Sequence, residues 1–115
     1  MKKEIGRQGE DLAASFLEAR GYRIEQRNYR CRWGEIDLIC CKNNILVFVE
    51  VRSKKDTSFG TPEESITRNK INKIHKTAFD YLQNLKGSTR QIRFDFIGII
   101  GTGDDITINH IEGAF

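Results

Sequence analysis

Two short apolar segments of the chain each contain an acidic residue at a position where a buried strand normally has none. The first segment contains Asp37 and the second contains Glu50. The residues between them, Asn43 and Asn44, suit a tight hairpin because Asn tolerates the positive φ of two-residue turns. If these two residues form the turn, counting outward along both strands places Asp37 directly opposite Glu50.

Strand alternation then places Asp37, Glu50 and Arg52 on one face of the sheet. The opposite face receives apolar residues suited to a core, namely Leu38, Val47, Val49 and Val51. Like charges that face each other on an apolar sheet are destabilising, so a cation is expected between the two acids. The alternative is a register displaced by one residue, which leaves one acid facing solvent at a strand end.

Two adjacent carboxylates with a neighbouring cation suit phosphodiester cleavage. Asp37 and Glu50 are predicted to hold a hard divalent cation, Mg²⁺ or Mn²⁺, because carboxylate oxygens are the ligands such ions prefer. Arg52 is predicted to stabilise the negative charge that develops on phosphate oxygens during the reaction.

The chain resembles the YraN-like family of small bacterial proteins, within the restriction-endonuclease-like superfamily and close in plan to archaeal Holliday junction resolvases. The matching residues run nearly end to end: Gly6 to Glu10, Ala13, Gly21, Tyr22, Asn28, Gly34 to Ile39, Phe48 to Arg52, Lys70, Arg93 to Asp95, and His110 to Phe115. This resemblance implies an α/β, restriction-endonuclease-like fold with a mixed central β-sheet flanked by helices.

The same resemblance implies a site. The superfamily pattern of a helix acid, a strand acid and Glu-x-Lys corresponds here to Glu10, Asp37, Glu50 and Arg52. The chain departs from that pattern at Arg52, where the superfamily has Lys. For Glu10, the role of an ordinary exposed helix acid stays open.

Arginine remains protonated at any usable pH, so Arg52 cannot act as a general base. The attacking water would therefore have to be activated by the metal, with Arg52 as an electrostatic stabiliser. Lys54 is a candidate for a second phosphate contact, and Lys70 is a candidate for the missing lysine. Both lysines also fit an ordinary solvated surface.

Basic and aromatic residues are interleaved before the first acidic strand. Arg30, Arg32 and Trp33 are predicted to contact nucleic acid, because arginines bind backbone phosphates and exposed aromatic rings stack on unpaired bases. Burial of Trp33 in the core and a solvated arginine rim is the alternative. The formal net charge of +3 decides nothing by itself.

Length and composition favour a single nuclease-like domain over residues 1–115, since 38% hydrophobic residues suffice for one core. Neither a membrane-spanning run nor a signal-peptide pattern is evident, which predicts a cytoplasmic protein. The three cysteines fit neither a disulfide framework nor a CxxC zinc set, so reduced thiols are expected, at least one of them buried. A zinc site that combines them with His75 and His110 is disfavoured.

The pattern of apolar residues predicts two helices around five strands. The first helix is expected over about 3–20, with Ile5, Leu12, Ala13, Phe16 and Leu17 facing inward and with close backbone approach at Gly6 and Gly9. The second is expected to begin with a capping box at Thr61 and to end at Gly87, with Ile66, Ile74, Ala78, Leu82 and Leu85 facing inward. Strands are expected near 22–29, on both sides of the Asn turn, and at 92–100 and 106–111.

These observations together predict a Mg²⁺- or Mn²⁺-dependent endonuclease that acts on DNA, including branched or single-strand-containing DNA. Resolution of a junction would require two sites and hence a homodimer. Two alternatives stay open: a catalytically silent nucleic-acid-binding module with the same fold, and a protein-interaction subunit whose acids are merely structural.

Overall fold

The computed structural model describes residues 2–85 and 90–115, and it describes side chains from Gln8 onward. The elements are α1 (Lys2–Ala19), β1 (Arg23–Cys31), β2 (Gly34–Lys42), β3 (Ile45–Lys54), a 3₁₀ turn (Glu63–Ser65), α2 (Arg68–Gln83), β4 (Gln91–Thr102) and β5 (Asp105–Ile111). The five strands form one sheet in the order of the chain. The β3–β4 pair is parallel and the other pairs are antiparallel, so the predicted α/β class with a mixed sheet flanked by helices is confirmed.

The predicted hairpin at the Asn pair is confirmed. Asn43 and Asn44 have φ values of 51° and 64°, which is the left-handed conformation that a type I′ turn requires. Lys42 pairs with Ile45 across this turn, as predicted. The antiparallel ladder then continues without a shift as far as the pair of Leu38 and Val49.

One helix covers each face of the sheet. Ala13 and Leu17 of α1 pack with one set of strand residues, which includes the predicted core residues Leu38, Val47 and Val49, and Val51 is partly buried beside them. Ile74 and Ala78 of α2 pack on the other face with Ile36, Ile39, Leu46 and Phe48. Adjacent residues of β3 therefore belong to opposite cores, as alternation requires.

Helix α1 lies close to β3 at Gly9. A Cβ at this position would collide with the hydroxyl of Ser53, so the predicted close backbone approach at Gly9 is confirmed. Ala13 and Leu17 are buried as predicted, whereas the prediction for Leu12 is wrong because its side chain is 37% exposed. The predictions for Ile5 and Gly6 concern surroundings that lie outside the described part of the chain.

The second helix begins later than predicted. Thr61 and Glu64 exchange the two predicted capping hydrogen bonds at 3.4 Å, but they close only a 3₁₀ turn. Ile66 is extended and breaks the helix, and Thr67 becomes the N-cap of α2. The reason is tertiary, because this segment packs on β4, where the bare backbone of Gly98 leaves room for Pro62 and Glu63.

The remaining predictions concern α2, the cysteines and membrane-spanning helices. Ile74 and Ala78 of α2 are buried as predicted, but Ile66 lies before the helix and Leu85 is 37% exposed, so those two assignments are wrong. The predicted stop at Gly87 lies outside the described residues. The cysteines are free, and Cys40 is buried, as expected. Neither of the described helices has the length and apolar character needed to cross a bilayer.

Candidate active site

Strands β2 and β3 stop pairing with each other beyond Leu38 and Val49, although both strands continue. Asp37 and Glu50 are the next residues on either side of this separation. A carboxylate oxygen of Asp37 accepts a hydrogen bond from the Val51 N–H at 2.8 Å, so a side chain replaces the backbone ladder here. The opening between the two strands is what holds both acids at one place.

Asp37 is a half-buried acid with an unfavourable charge. Burial, the charge of Glu50 and the hydrogen bond that the protonated Asp37 carboxyl donates to Glu50 raise the pKa of Asp37 to about 8. The hydrogen bond from the Val51 N–H acts in the opposite direction and does not outweigh them. The carboxyls of Asp37 and Glu50 therefore interact directly and compete for a proton or another cation.

Two further acids adjoin Asp37. One carboxylate oxygen from each of Glu10, Glu35 and Asp37 lies within 4.8 Å of the other two. The pKa of Glu10 is raised, mainly because of partial burial, with a further contribution from the charge of Glu35 that a hydrogen bond to Asn28 opposes. We call the set of Glu10, Glu35, Asp37 and Glu50 the acidic site.

Glu50 is 4% exposed and has two cationic neighbours. Arg52 donates to the same oxygen of Glu50 from Nη2 at 2.9 Å and from Nε at 3.1 Å. Lys70 Nζ lies 3.7 Å from that oxygen. Arg52 and Lys70 therefore both contact Glu50. The three acids that are close enough to share a metal ion are instead Glu10, Glu35 and Asp37.

Lys70 reaches the acidic site because of where α2 begins. The Thr67 hydroxyl accepts a hydrogen bond from the Lys70 backbone N–H at 3.1 Å, which fixes the first turn of the helix. The segment before Thr67 is packed on β4, and the first turn therefore lies over the end of the sheet that carries Glu50. A helix that ran on from Thr61 would have placed Lys70 in its third turn.

The predicted nucleic-acid-binding residues lie in two places. Arg30 pairs with Glu35, and Arg32 lies with its guanidinium 4.5 Å from the centre of the Trp33 ring. Trp33 is 39% exposed at the β1–β2 turn. Lys54 lies at the end of β3, where its Nζ is 3.5 Å from the Gly60 carbonyl oxygen.

Glu35 and Asn28 were missed by the sequence reasoning. Glu35 stands two residues before Asp37, so the alternation that selected Asp37 also points to Glu35. Asn28 has a φ of 53° within β1, and the family resemblance included it without assigning it a role. Its hydrogen bond to Glu10 depends on the packing of α1 against the sheet.

A second buried acid was also missed. Asp95 is fully buried on β4 and receives two hydrogen bonds from Arg93, from Nε and Nη2, each at 2.8 Å. His110 Nε2 lies 2.7 Å from Oδ2, which also accepts from Arg93 Nη2, and the Gly113 N–H donates to Oδ1 at 3.1 Å. Tyr22 accepts from Arg93 at 2.6 Å. We call this group the Asp95 network.

The Asp95 network keeps its acid charged. Burial by itself raises the pKa of Asp95, but hydrogen bonds from His110, Arg93 and the Gly113 N–H outweigh burial and lower it. His110 is used in this network, and His75 stacks on Phe94 with ring centres 4.5 Å apart. Among the described residues, the grouped acids that could share a metal are Glu10, Glu35 and Asp37, with neither histidine nor cysteine among them.

The chain is similar to proteins of one family. The sequence profile of the uncharacterised protein family UPF0102 matches residues 9–99. A UPF0102 protein of Syntrophomonas wolfei is 43% identical over 115 residues, which is the full length of both chains. A UPF0102 protein of Persephonella marina is 49% identical over 112 residues, covering 96% of this chain and 91% of that protein. One from Myxococcus xanthus is 40% identical over 99% of this chain and 90% of its own.

Proposed function

This chain belongs to the uncharacterised protein family UPF0102, and from its acidic site we propose that it is a Mg²⁺- or Mn²⁺-dependent endonuclease that hydrolyses phosphodiester bonds in DNA. The YraN-like assignment made from the sequence is confirmed by this membership. The activity is proposed from the residues of the site.

The observation that carries the proposal is the crowding of carboxyl groups around Asp37, which has no ion-pair partner among the described side chains. Three carboxylates lie within 4.8 Å of one another, and the pKa of Asp37 is raised to about 8. Like-charged acids at this distance need a cation between them. Their ligands are all carboxylate oxygens, which fit hard ions such as Mg²⁺ and Mn²⁺.

Each residue then has a separate task. Glu10, Glu35 and Asp37 are the candidate metal ligands, and Glu50 contacts Asp37 from the adjacent strand. When bound, a divalent cation supplies Lewis-acid activation of water and of the phosphate. Arg52 keeps its charge at any working pH, so it stabilises the developing negative charge and does not take a proton. Lys70 adds a second cation beside Glu50.

DNA as the substrate is supported by the cationic and aromatic residues near these acids. Arg30 lies near the end of β1 beside Glu35, and Arg32 lies in the β1–β2 turn beside Trp33, where phosphates and unpaired bases can bind. Lys76 from α2 lies 4.9 Å from the same Trp33 ring. Branched or single-strand-containing DNA is the preferred substrate in this proposal, because an exposed aromatic ring stacks on bases that are not paired.

The test is a nicking assay on duplex, single-stranded and branched DNA with Mg²⁺, Mn²⁺ or EDTA. We expect cleavage with either metal and none in EDTA. Glu50→Gln should lower the rate by about 10²-fold or more, because it removes a charged group from the centre of the site. Glu18→Gln, an exposed acid on α1, is the matched control and should leave the rate unchanged.

Arg52→Lys sharpens the same assay. Lysine restores the superfamily residue and can release a proton when its pKa is lowered, so we expect activity equal to or above that of the unmodified chain. Cleavage that persists in Glu50→Gln would assign the activity to another site or to a contaminant.

A second candidate is a catalytically silent nucleic-acid-binding module, and the pairing of Glu50 with Arg52 and Lys70 favours it, because this acid is already neutralised by two cations. Such a module binds DNA but does not cut it with either metal. In both cases Arg30→Ala with Arg32→Ala should reduce the slope of log affinity against log salt by about 1 per lost phosphate contact. Absence of cleavage by both the unmodified chain and Arg52→Lys would favour the module.

A further inference from the structure

A cavity of about 310 Å³ lies between α1 and the ends of β3 and β4. Its volume is at the lower end of the range found for small-molecule sites, roughly 300–1,000 Å³. It opens on the α1 side of the sheet, and the acidic site does not include any of its lining residues.

The cavity has an apolar floor and a cationic rim. Ile99 and Ile106 line it from the sheet, and Leu12 lines it from α1. Leu12 is one of the large apolar residues left exposed, and this cavity is where its side chain faces. Among the lining residues, the charged ones are Lys54 and Lys55, both positive. An apolar floor with two cations at the rim suits a flat ring that carries a negatively charged group.

The cavity adjoins the acidic site along α1. Gly9, which lines the cavity, directly precedes Glu10 of the acidic site. Ser53 of β3 also lines the cavity and lies against Gly9. Consecutive Cα atoms are about 3.8 Å apart. The missing Cβ of Gly9 allows α1 to contact Ser53, and this contact holds the two elements together beside the acids.

We propose that this cavity binds one unpaired nucleotide of a nucleic-acid strand, next to the phosphate that the acidic site holds. The base lies on Leu12, Ile99 and Ile106, and its phosphate contacts Lys54 and Lys55. This inference rests on the proposed function for its reading of the acidic site. The cavity selects substrates in which the nucleotide beside the cleaved bond is free to leave the double helix, because a paired base cannot enter a cavity of this size.

The test is binding without catalysis. Fluorescein-labelled single-stranded oligothymidylate and a duplex of the same length are titrated in EDTA, so the result does not depend on any cleavage activity. Leu12→Trp fills the cavity from its exposed rim and should weaken binding of the single strand by about tenfold, within the range measured for one stacked base. Duplex affinity should change by less than twofold.

Leu85→Trp is the matched control, because Leu85 is also 37% exposed and lies at the far end of α2. It should leave both affinities unchanged. Equal losses for Leu12→Trp and Leu85→Trp, or no loss for Leu12→Trp, would overturn the proposal. Thr102→Trp, at an exposed rim position, repeats the test from the sheet if Leu12→Trp fails to fold.

Lys54→Gln with Lys55→Gln tests the phosphate contacts, and Lys73→Gln with Lys76→Gln is the control with the same loss of charge. We expect the first pair to reduce the preference for single strand over duplex, and the second pair to lower both affinities together. Thymidine monophosphate should compete with the oligonucleotide only at far higher concentration. Competition by inorganic phosphate as strong as that by the oligonucleotide would instead identify a simple anion site and contradict the proposal.

Discussion

Asp37 and Asp95 are two buried or half-buried aspartates on strands of the same sheet, and their surroundings give them opposite properties. Asp95 is fully buried, yet its pKa is lowered, because Arg93, His110 and a backbone N–H all donate to it. Asp37 retains some exposure, yet its pKa is raised to about 8, because burial and the charge of Glu50 outweigh the one backbone N–H that donates to it.

The difference separates a structural acid from a candidate functional one. At the Asp95 network the protein itself supplies one cation, Arg93, and further hydrogen bonds from His110 and a backbone N–H, so the charge is satisfied within the fold. At Asp37 the arrangement differs, because Arg52 and Lys70 contact Glu50 and Arg30 pairs with Glu35, while no basic side chain within residues 8–85 and 90–115 forms an ion pair with Asp37 itself. Perturbed acids in such an arrangement are typical of functional sites.

The largest change in the free energy of unfolding is expected for substitution of Asp95. Asp95→Ala leaves the partly buried Arg93 and His110 without their anion and should lower the free energy of unfolding by about 3–5 kcal/mol. Urea denaturation measures this change. Glu112→Gln is the control, because that carboxylate is 60% exposed and lies 3.7 Å from Arg93, and it should cost less than about 1 kcal/mol. Similar losses in both variants would contradict the comparison.

The opposite sign is expected at Asp37. Without divalent metal at pH 8, Asp37→Asn removes an unfavourable carboxylate and should raise the free energy of unfolding by about 1–3 kcal/mol. Denaturation in EDTA measures it. Asp11→Asn is a matched control on α1, since that acid is exposed and paired with Arg27, and it should not be stabilising. Destabilisation by Asp37→Asn would show that the charge of Asp37 is already compensated.

Divalent metal should reduce the contrast between the two acids. At ten times its dissociation constant, Mn²⁺ or Mg²⁺ should stabilise the unmodified chain by about 1.4 kcal/mol, because it binds only the folded acidic site. Thermal denaturation with and without metal measures this shift. Asp37→Asn should lose the shift and Glu112→Gln should keep it. Equal stabilisation of both variants would place the metal away from Asp37.

The smallest effect is the pH dependence in EDTA. Between about pH 5 and 8 the folded chain holds a proton on Asp37 that the unfolded chain has released, so stability should fall as pH rises, by less than about 1.4 kcal/mol per pH unit. Asp95 has a lowered pKa, so its contribution is present above about pH 4 and is lost as pH falls further. Asp37→Asn should flatten the slope between pH 5 and 8. An unchanged slope would assign it to other groups.

The hairpin was predictable because its determinants are local. Asn43 and Asn44 specify the turn through their own backbone preferences, and the register follows by counting outward from them. Val47 and Val49 share an apolar face because side chains alternate between the two faces of a β-strand, and this face is buried as predicted. The start of α2 was not predictable in this way, because Thr61 carries a sound capping signal that packing on β4 overrides.

The amino-acid sequence by itself determined the turn and the strand register that brings Asp37 next to Glu50, since these depend on residues within one hairpin. Only the tertiary structure decided which acids adjoin Asp37, because Glu10 arrives on α1 and its approach depends on the contact between Gly9 and Ser53. It also decided that Lys70 contacts Glu50 and that Arg93 and His110 contact Asp95. Charge compensation between residues far apart in sequence depends on distances that only the packed sheet and helices define.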